Sequence, residues 1–189
     1  MVVKMPSQPR HTRRIEPTMN NPTFWKIIHE SLEEAESDLD EQMEFLGEAL
    51  EELDPAEIVA FDRIFLEYWV KAYTWDLWAA AYILGKGCSD DEFVDFLGWL
   101  ICRGEKVYEM AVKNPDSLSN QINADAGEDA LHEGFQGIAT LAWEHRTGNN
   151  VDDFPDHAIE LPTEPKGTQW SEASDDLQTR CPKLYRKFF

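Results

Sequence analysis

Residues 75–84 read WDLWAAAYIL, an almost unbroken apolar stretch whose only charged residue is Asp76. Wound into a helix, this stretch is apolar nearly all round, and such a helix belongs in the middle of a core. Gly85 and Gly87 follow it and are expected to end the helix. The stretch therefore predicts a central helix that the rest of the chain covers.

Helical signals continue on both sides of this stretch. Asp54-Pro55-Ala56-Glu57 joins a capping carboxylate to a proline at the first helical position and a glutamate at the third. Ser89 and Glu92 have the spacing of a capping box. A break is predicted near Ser37-Asp38, and the segment after it is either a second helix or an extension of the first. Apolar side chains repeat with helical spacing in the segments 22–35, 39–53, 55–72, 93–111 and 128–145.

These patterns predict an all-α fold, a compact helical domain of about six to seven helices with an irregular C-terminal strap. Residues 1–21 are predicted to be a disordered basic leader and residues 22–148 the helical domain. Residues 149–189 are predicted to form the strap and a basic-aromatic tail packing on the same domain, with a short helix over 171–179. We expect the cations of the tail, Arg180 and Lys187 among them, to lie against the helices of the acidic stretch between Ile27 and Asp62.

The composition excludes several classes of function. The chain has 189 residues and a net charge of −20, which opposes direct binding to nucleic-acid phosphates or to anionic membranes. No apolar run approaches the length of a membrane span. Cys88, Cys102 and Cys181 are an odd number with no close pair, unlike a disulfide framework or a zinc ribbon. We therefore expect a cytoplasmic protein.

Several short motifs occur in order along the chain. They are Phe24-Trp25, Phe61-Asp62-Arg63, Trp75-Asp76-Leu77-Trp78-Ala79-Ala80, Gly87-Cys88-Ser89-Asp90-Asp91, Phe93, Trp99-Leu100 and Asn114-Pro115-Asp116-Ser117-Leu118. Together they resemble a bacterial family catalogued as domain of unknown function 4240, over roughly residues 22–120. The resemblance implies a bacterial cytosolic protein with one helical domain. That family brings no established activity, so it assigns no catalytic roles.

Asp62, Arg63 and Asp76 are the candidate catalytic residues, because aromatic side chains surround them in the sequence. A charge close to a core is unfavourable unless it is paired and hydrogen-bonded. In a pocket, Arg63 would hold an anionic ligand and one of the carboxylates would act as an acid or base. The structural alternative pairs Arg63 with Glu67 one turn on and places Asp76 in a helical first turn.

The sequence predicts no cofactor and no metal site. The acidic run Ser89-Asp90-Asp91-Glu92 lacks the spaced oxygen ligands of a calcium loop and is explained by helix capping. No two of the five histidines have the spacing of paired metal ligands. No phosphate-binding glycine loop or nucleophile motif is present either.

The strongest functional feature is an acidic surface. From Ile27 to Asp62 there are fourteen Asp or Glu residues and no Lys or Arg. Such a surface either keeps the protein soluble or steers a basic protein partner toward it. The best hypothesis is a non-enzymatic interaction or regulatory module, with the partner bound by Glu33, Glu34, Glu41 and Glu44. The alternative is a small-molecule-binding protein or enzyme with a pocket near Arg63 and Asp76.

Overall fold

The computed structural model describes residues 19–36, 38–124, 126–172 and 175–189. The predicted disordered basic leader spans residues 1–21, and residues 1–18 of it lie outside these ranges. Met19 is the first described residue, and it packs partly buried against the core just before the first helix.

Seven α-helices of nine or more residues run through the described part of the chain, which confirms the all-α fold class and the predicted helix number. They are α1 (Asn21–Glu34), α2 (Leu39–Glu51), α3 (Pro55–Ala72), α4 (Trp75–Gly85), α5 (Asp90–Cys102), α6 (Glu105–Lys113) and α7 (Ile138–Thr147). Two shorter helices, α8 (Asp176–Arg180) and α9 (Pro182–Phe188), follow near the C-terminus. Within the described ranges there is no strand, and one isolated parallel bridge joins Thr74 to Lys166.

Helix α4 is largely buried, as its apolar sequence predicts. Its buried side chains are Leu77, Ala79, Ala80, Ala81, Ile83 and Leu84, whereas Trp78 and Tyr82 are partly buried and Asp76 is exposed. Helices α5, α8 and α9 pack against it, together with two 3₁₀ turns, Pro115–Asn120 and Glu128–Leu131. The alanines keep the helix narrow, so these neighbours approach it closely.

The helix starts are fixed by the side chains that the sequence indicates. Asp54 and Glu57 form a capping box at the start of α3, and Ser89 and Glu92 form one at the start of α5. Asp38 caps α2, so the segment after the predicted break is a separate helix. These bonds satisfy backbone N–H groups that have no partner inside the helix.

The predicted long helix over residues 128–145 is wrong in its first half. The chain instead forms two 3₁₀ turns, Glu128–Leu131 and Phe135–Gly137, and α7 begins only at Ile138. Gly134 lies between the turns with a φ of 107°, a conformation that residues with a side chain rarely adopt. Helical spacing of apolar residues therefore continues over residues 128–137, although this segment does not form a single helix with α7.

The strap contacts α7 through Phe154, α3 through His157 and α4 through Trp170. The tail helices α8 and α9 pack on α4. Leu177, Cys181, Leu184 and Phe188 of the tail are buried. The expectation that tail cations meet the acidic helices α1 and α2 is wrong, because Arg180 pairs with Asp76 of α4, and the Lys187 ammonium donates to the carbonyl oxygens of Ser119 and Ile122. The helix predicted over 171–179 begins later, at Asp176, as α8. Residues 171, 172 and 175 are not helical, and residues 173–174 lie outside the described ranges.

Candidate functional site

The three predicted catalytic residues do not come together in one site. Arg63 is exposed on α3, and its Nε lies 3.2 Å from Glu67 Oε1 one turn on. Asp76 is exposed in the first turn of α4 and pairs with Arg180. No bridge joins Arg63 to Asp76 among the described residues, and of the three candidates Asp62 alone lines the cavity described below.

Asp62 forms a mostly buried pair with a histidine of the strap. Its Oδ2 lies 2.7 Å from His157 Nε2, and the two side chains are 17% and 8% exposed. Burial raises the pKa of the Asp62 carboxyl, while the hydrogen bond and the charge of His157 act in the opposite direction. The pair therefore joins α3 to the strap at a position shielded from water.

The strap presents His157 through its own local contacts. The Phe154 ring stands edge-on to Trp143 of α7, with ring centroids 5.5 Å apart, and edge-on to the His157 ring at 5.8 Å. Asp156 Oδ1 accepts a hydrogen bond from the N–H of Ala158, whose φ is 51°. This tight bend fixes the backbone on both sides of His157, so the imidazole is directed toward α3.

A cavity of about 280 Å³ opens beside Asp62. Its walls are mainly apolar and come from α3, α5 and the strap, with Gln136 and Thr140 contributing polar groups from the turn before α7 and from α7 itself. The lining residues are Asp62, Phe65, Leu66, Trp69, Val94, Gln136, Thr140 and Leu161. Only Asp62 of the predicted catalytic residues belongs to this set. An apolar cavity with a few polar groups is the usual form of a small-molecule site.

A second candidate site is an open groove between α2 and α7. Met43, Gly47, Ile138, Leu141 and Ala142 supply its apolar lining. Three carboxylates of α2, those of Glu44, Glu48 and Glu51, also line it, and its volume is about 600 Å³. We call this feature the acidic groove. Its apolar lining includes an unusually exposed side chain, since Leu141 is 50% exposed.

The predicted partner-binding glutamates divide between the groove and the open surface. Glu44 lines the acidic groove, whereas Glu33 and Glu34 of α1 and Glu41 of α2 are exposed but do not line it. Sequence reasoning missed Glu48, although it follows Glu44 by one helical turn. It could not find Leu141, because the approach of α7 to α2 is a tertiary contact.

The three cysteines form no disulfide, and their thiols are not activated as nucleophiles. Cys102 and Cys181 are buried and Cys88 is partly buried. Burial raises the pKa of each thiol to about 12, so the nucleophilic thiolate is scarce at neutral pH. In the described ranges no group of three or more His, Cys, Asp or Glu side chains is arranged to hold a metal ion.

Comparison with known proteins identifies one match. A family model described as "Protein of unknown function (DUF4240)" matches residues 19–145. No curated protein and no solved structure matches the chain. The matched residues contain α1 to α6, most of α7 and the lining of the acidic groove, whereas His157 and Leu161 of the strap lie beyond them. Among the described helices, none has the length and apolar character needed to cross a membrane.

Proposed function

We propose, for a chain that belongs to the DUF4240 family of proteins of unknown function, that its acidic groove binds a basic amphipathic helix of a partner protein. The observation that carries the proposal is the coincidence of an apolar groove and a row of carboxylates. Glu44, Glu48 and Glu51 follow one another along α2, while Leu141 remains half exposed beside them. A helix with an apolar face and a basic edge matches this arrangement.

The size of the groove is consistent with such a ligand. From Met43 to Glu51 it extends about 12 Å along α2, which corresponds to two helical turns. Gly47 lines the groove beside α7, and a Cβ at this position would lie 3.8 Å from Ile138 Cγ2. Charges around the rim give orientation and a fast association rate, and the apolar centre supplies most of the affinity.

Solvation alone explains Glu33, Glu34 and Glu41, which stand on the open surface. It explains the groove less well, because a purely solvating surface has no need of the half-exposed Leu141 among its carboxylates. The proposal includes a bacterial cytoplasmic setting and no direct contact with nucleic acid. The free cysteines and the net charge of −20 support these two points.

The test uses a labelled synthetic peptide of about 15 residues in which lysines flank a leucine face on one side of the helix. Fluorescence anisotropy measures its affinity for the full chain. A second peptide has the same composition in a permuted order, so its leucines share no face. We expect the amphipathic peptide to bind at least about tenfold more tightly than the permuted one, because only it fills the groove.

Two matched triple variants distinguish the groove from general acidity. Glu44→Gln/Glu48→Gln/Glu51→Gln and Glu33→Gln/Glu34→Gln/Glu41→Gln remove the same charge at different places. We expect the first to weaken peptide binding about tenfold or more and the second to weaken it less than about threefold. Equal losses in the two variants, or equal affinity for the two peptides, would show that the acidic surface attracts cations without a docking site.

A further inference from the structure

We infer that the cavity beside Asp62 binds a small amphipathic primary amine, whose ammonium group pairs with the Asp62 carboxylate and whose apolar body lies against α3, α5 and the strap. This site is separate from the acidic groove, and no residue lines both. The inference therefore stands independently of the proposed protein partner.

Two polar side chains of the cavity, Thr140 and Gln136, have acceptor oxygens to spare while their donor hydrogens are already used. Thr140 Oγ1 donates to the Gly137 carbonyl at 2.8 Å. Gln136 Nε2 donates to the Val94 carbonyl and lies 3.4 Å from Asp95 Oδ1. What remains for a ligand is the Thr140 oxygen lone pairs, the Gln136 amide oxygen and the Asp62 carboxylate. A set of acceptors selects a ligand that brings donors, and an ammonium group brings three.

The charge of Asp62 also favours a cation. Its Oδ2 is engaged by His157, while Oδ1 accepts no hydrogen bond from the described residues. Pairing with His157 offsets part of the cost of burying this carboxylate, and an ammonium group beside the open Oδ1 offsets more of it. Because the chain as a whole carries a charge of −20, its field also draws a cation rather than an anion toward the cavity.

The apolar walls of the cavity indicate that the rest of the ligand is apolar and small. Phe65 and Trp69 lie one turn apart on α3, and Val94 faces them from α5. Leu161 of the strap lines the same cavity, yet 54% of it is exposed. A ligand with an aromatic or aliphatic body would bury this side chain. At about 280 Å³ the cavity is at the small end of the range for ligand sites, so it suits a single ring or a short chain.

The test compares three probes with one body and different heads, namely phenethylamine, phenethyl alcohol and phenylacetate. Isothermal titration calorimetry with the full chain measures their affinities. We expect one molecule of the amine to bind per chain, about tenfold or more tightly than the alcohol, because its bond to the carboxylate is charge-assisted. Phenylacetate should not bind measurably.

Variants locate the site. Asp62→Asn should weaken the amine at least about tenfold, whereas Asp76→Asn removes an exposed carboxylate of the same kind and should leave its affinity within about twofold. Thr140→Val keeps the side-chain volume and should weaken the amine several-fold, which gives a readout even if Asp62→Asn does not fold. Equal binding of the three probes, or equal effects of Asp62→Asn and Asp76→Asn, would overturn the inference and leave the cavity as a hydrated packing defect.

Discussion

Folding shifts the pKa values of individual carboxylates of this chain in opposite directions. Burial raises the pKa of Asp62, so the folded state disfavours its charge. Hydrogen bonds from the backbone and side chain of Ser89 lower the pKa of Glu92, so the folded state favours that charge. The large net charge therefore conceals groups of quite different energetic character. Asp62 is a candidate for binding because its charge is unfavourable where it lies, whereas Glu92 stabilises a helix.

The capping box at α5 gives a prediction with a defined pH dependence. Glu92 Oε2 accepts from the backbone N–H of Ser89 at 2.7 Å and from its hydroxyl at 2.9 Å. Since the folded state lowers the pKa of Glu92 below 4.5, its stabilisation is complete above that pH and is lost as the pH falls through the folded value. We expect Glu92→Gln to lower the free energy of unfolding by about 0.5 kcal/mol at pH 7 and to have almost no effect near pH 3.

Urea unfolding followed by circular dichroism at a series of pH values measures this difference. Glu160→Gln changes an exposed glutamate of the strap and is the matched control. Its free energy of unfolding should equal that of the unaltered chain at every pH. If the free energy of unfolding of Glu92→Gln were lower by the same amount at low pH, the loss would come from packing and not from the ionised carboxylate.

Sequence reasoning was accurate for residues whose partners are close in the chain. Ser89 and Glu92 are three residues apart, and the spacing alone identifies their bonds. The sequence singles out Asp62 as a charge among aromatic residues, but its partner His157 is 95 residues away in a segment without periodicity. Arg63 and Asp76 were grouped with Asp62 for the same reason, and the structure gives each a different partner. Sequence proximity could not distinguish these outcomes.

At the scale of elements, the long helices are determined by residues close in the chain, whereas the tail depends on residues far away in the chain. The starts of α2, α3 and α5 follow from local capping and apolar spacing. Helix α9 has no such local cap. Instead Asp116 Oδ1, from a 3₁₀ turn far away in sequence, accepts from the backbone N–H groups of Lys183 and Leu184 at 2.8 and 2.9 Å. A cap supplied from another segment leaves no pattern in the sequence of the helix itself.

This cap predicts how firmly the tail is held. Asp116 is 6% exposed, so Asp116→Ala would leave two donors of α9 without a partner in a largely buried place. We expect a loss of about 2 kcal/mol in the free energy of unfolding, and a smaller loss for Asp116→Asn, which keeps an acceptor oxygen. Urea unfolding gives the magnitude, and limited proteolysis shows whether the tail is released first.

Asp152→Ala is the control for the Asp116 variants, because Asp152 is an exposed carboxylate of the strap. It should leave both stability and the proteolysis pattern unchanged. If Asp116→Ala matched this control, the burial of Leu184 and Phe188 and the bonds of Arg180 and Lys187 would hold the tail without help from the Asp116 cap.

At the scale of the whole molecule, opposite charges are separated in space. Acidic side chains cover α1 and α2, while Arg180 and Lys187 are used at the other end of the chain to fix the tail on α4 and its neighbouring turn. Part of this charge is compensated within the molecule, since Lys26 pairs with Glu30, and His29, His132 and His145 lie within ion-pair distance of Glu33, Asp40 and Glu51. The other carboxylates of α1 and α2 include Glu44 and Glu48 of the acidic groove. This separation favours an external cation, such as the basic helix proposed for the acidic groove, and it makes the isolated protein sensitive to salt.

The last prediction concerns this sensitivity. Like charges along α1 and α2 repel one another across about 30 Å at 0.01 M salt but only about 10 Å at 0.1 M. We therefore expect the melting temperature to rise by a few degrees, equivalent to roughly 1 kcal/mol, as sodium chloride increases from low to physiological concentration. Removing three of the charges in Glu33→Gln/Glu34→Gln/Glu41→Gln should raise the melting temperature in low salt and flatten this rise. Differential scanning fluorimetry measures both effects. A melting temperature independent of salt in both proteins would mean that the acidic helices do not destabilise the fold, and charge repulsion would then give no reason for the groove to need a basic partner.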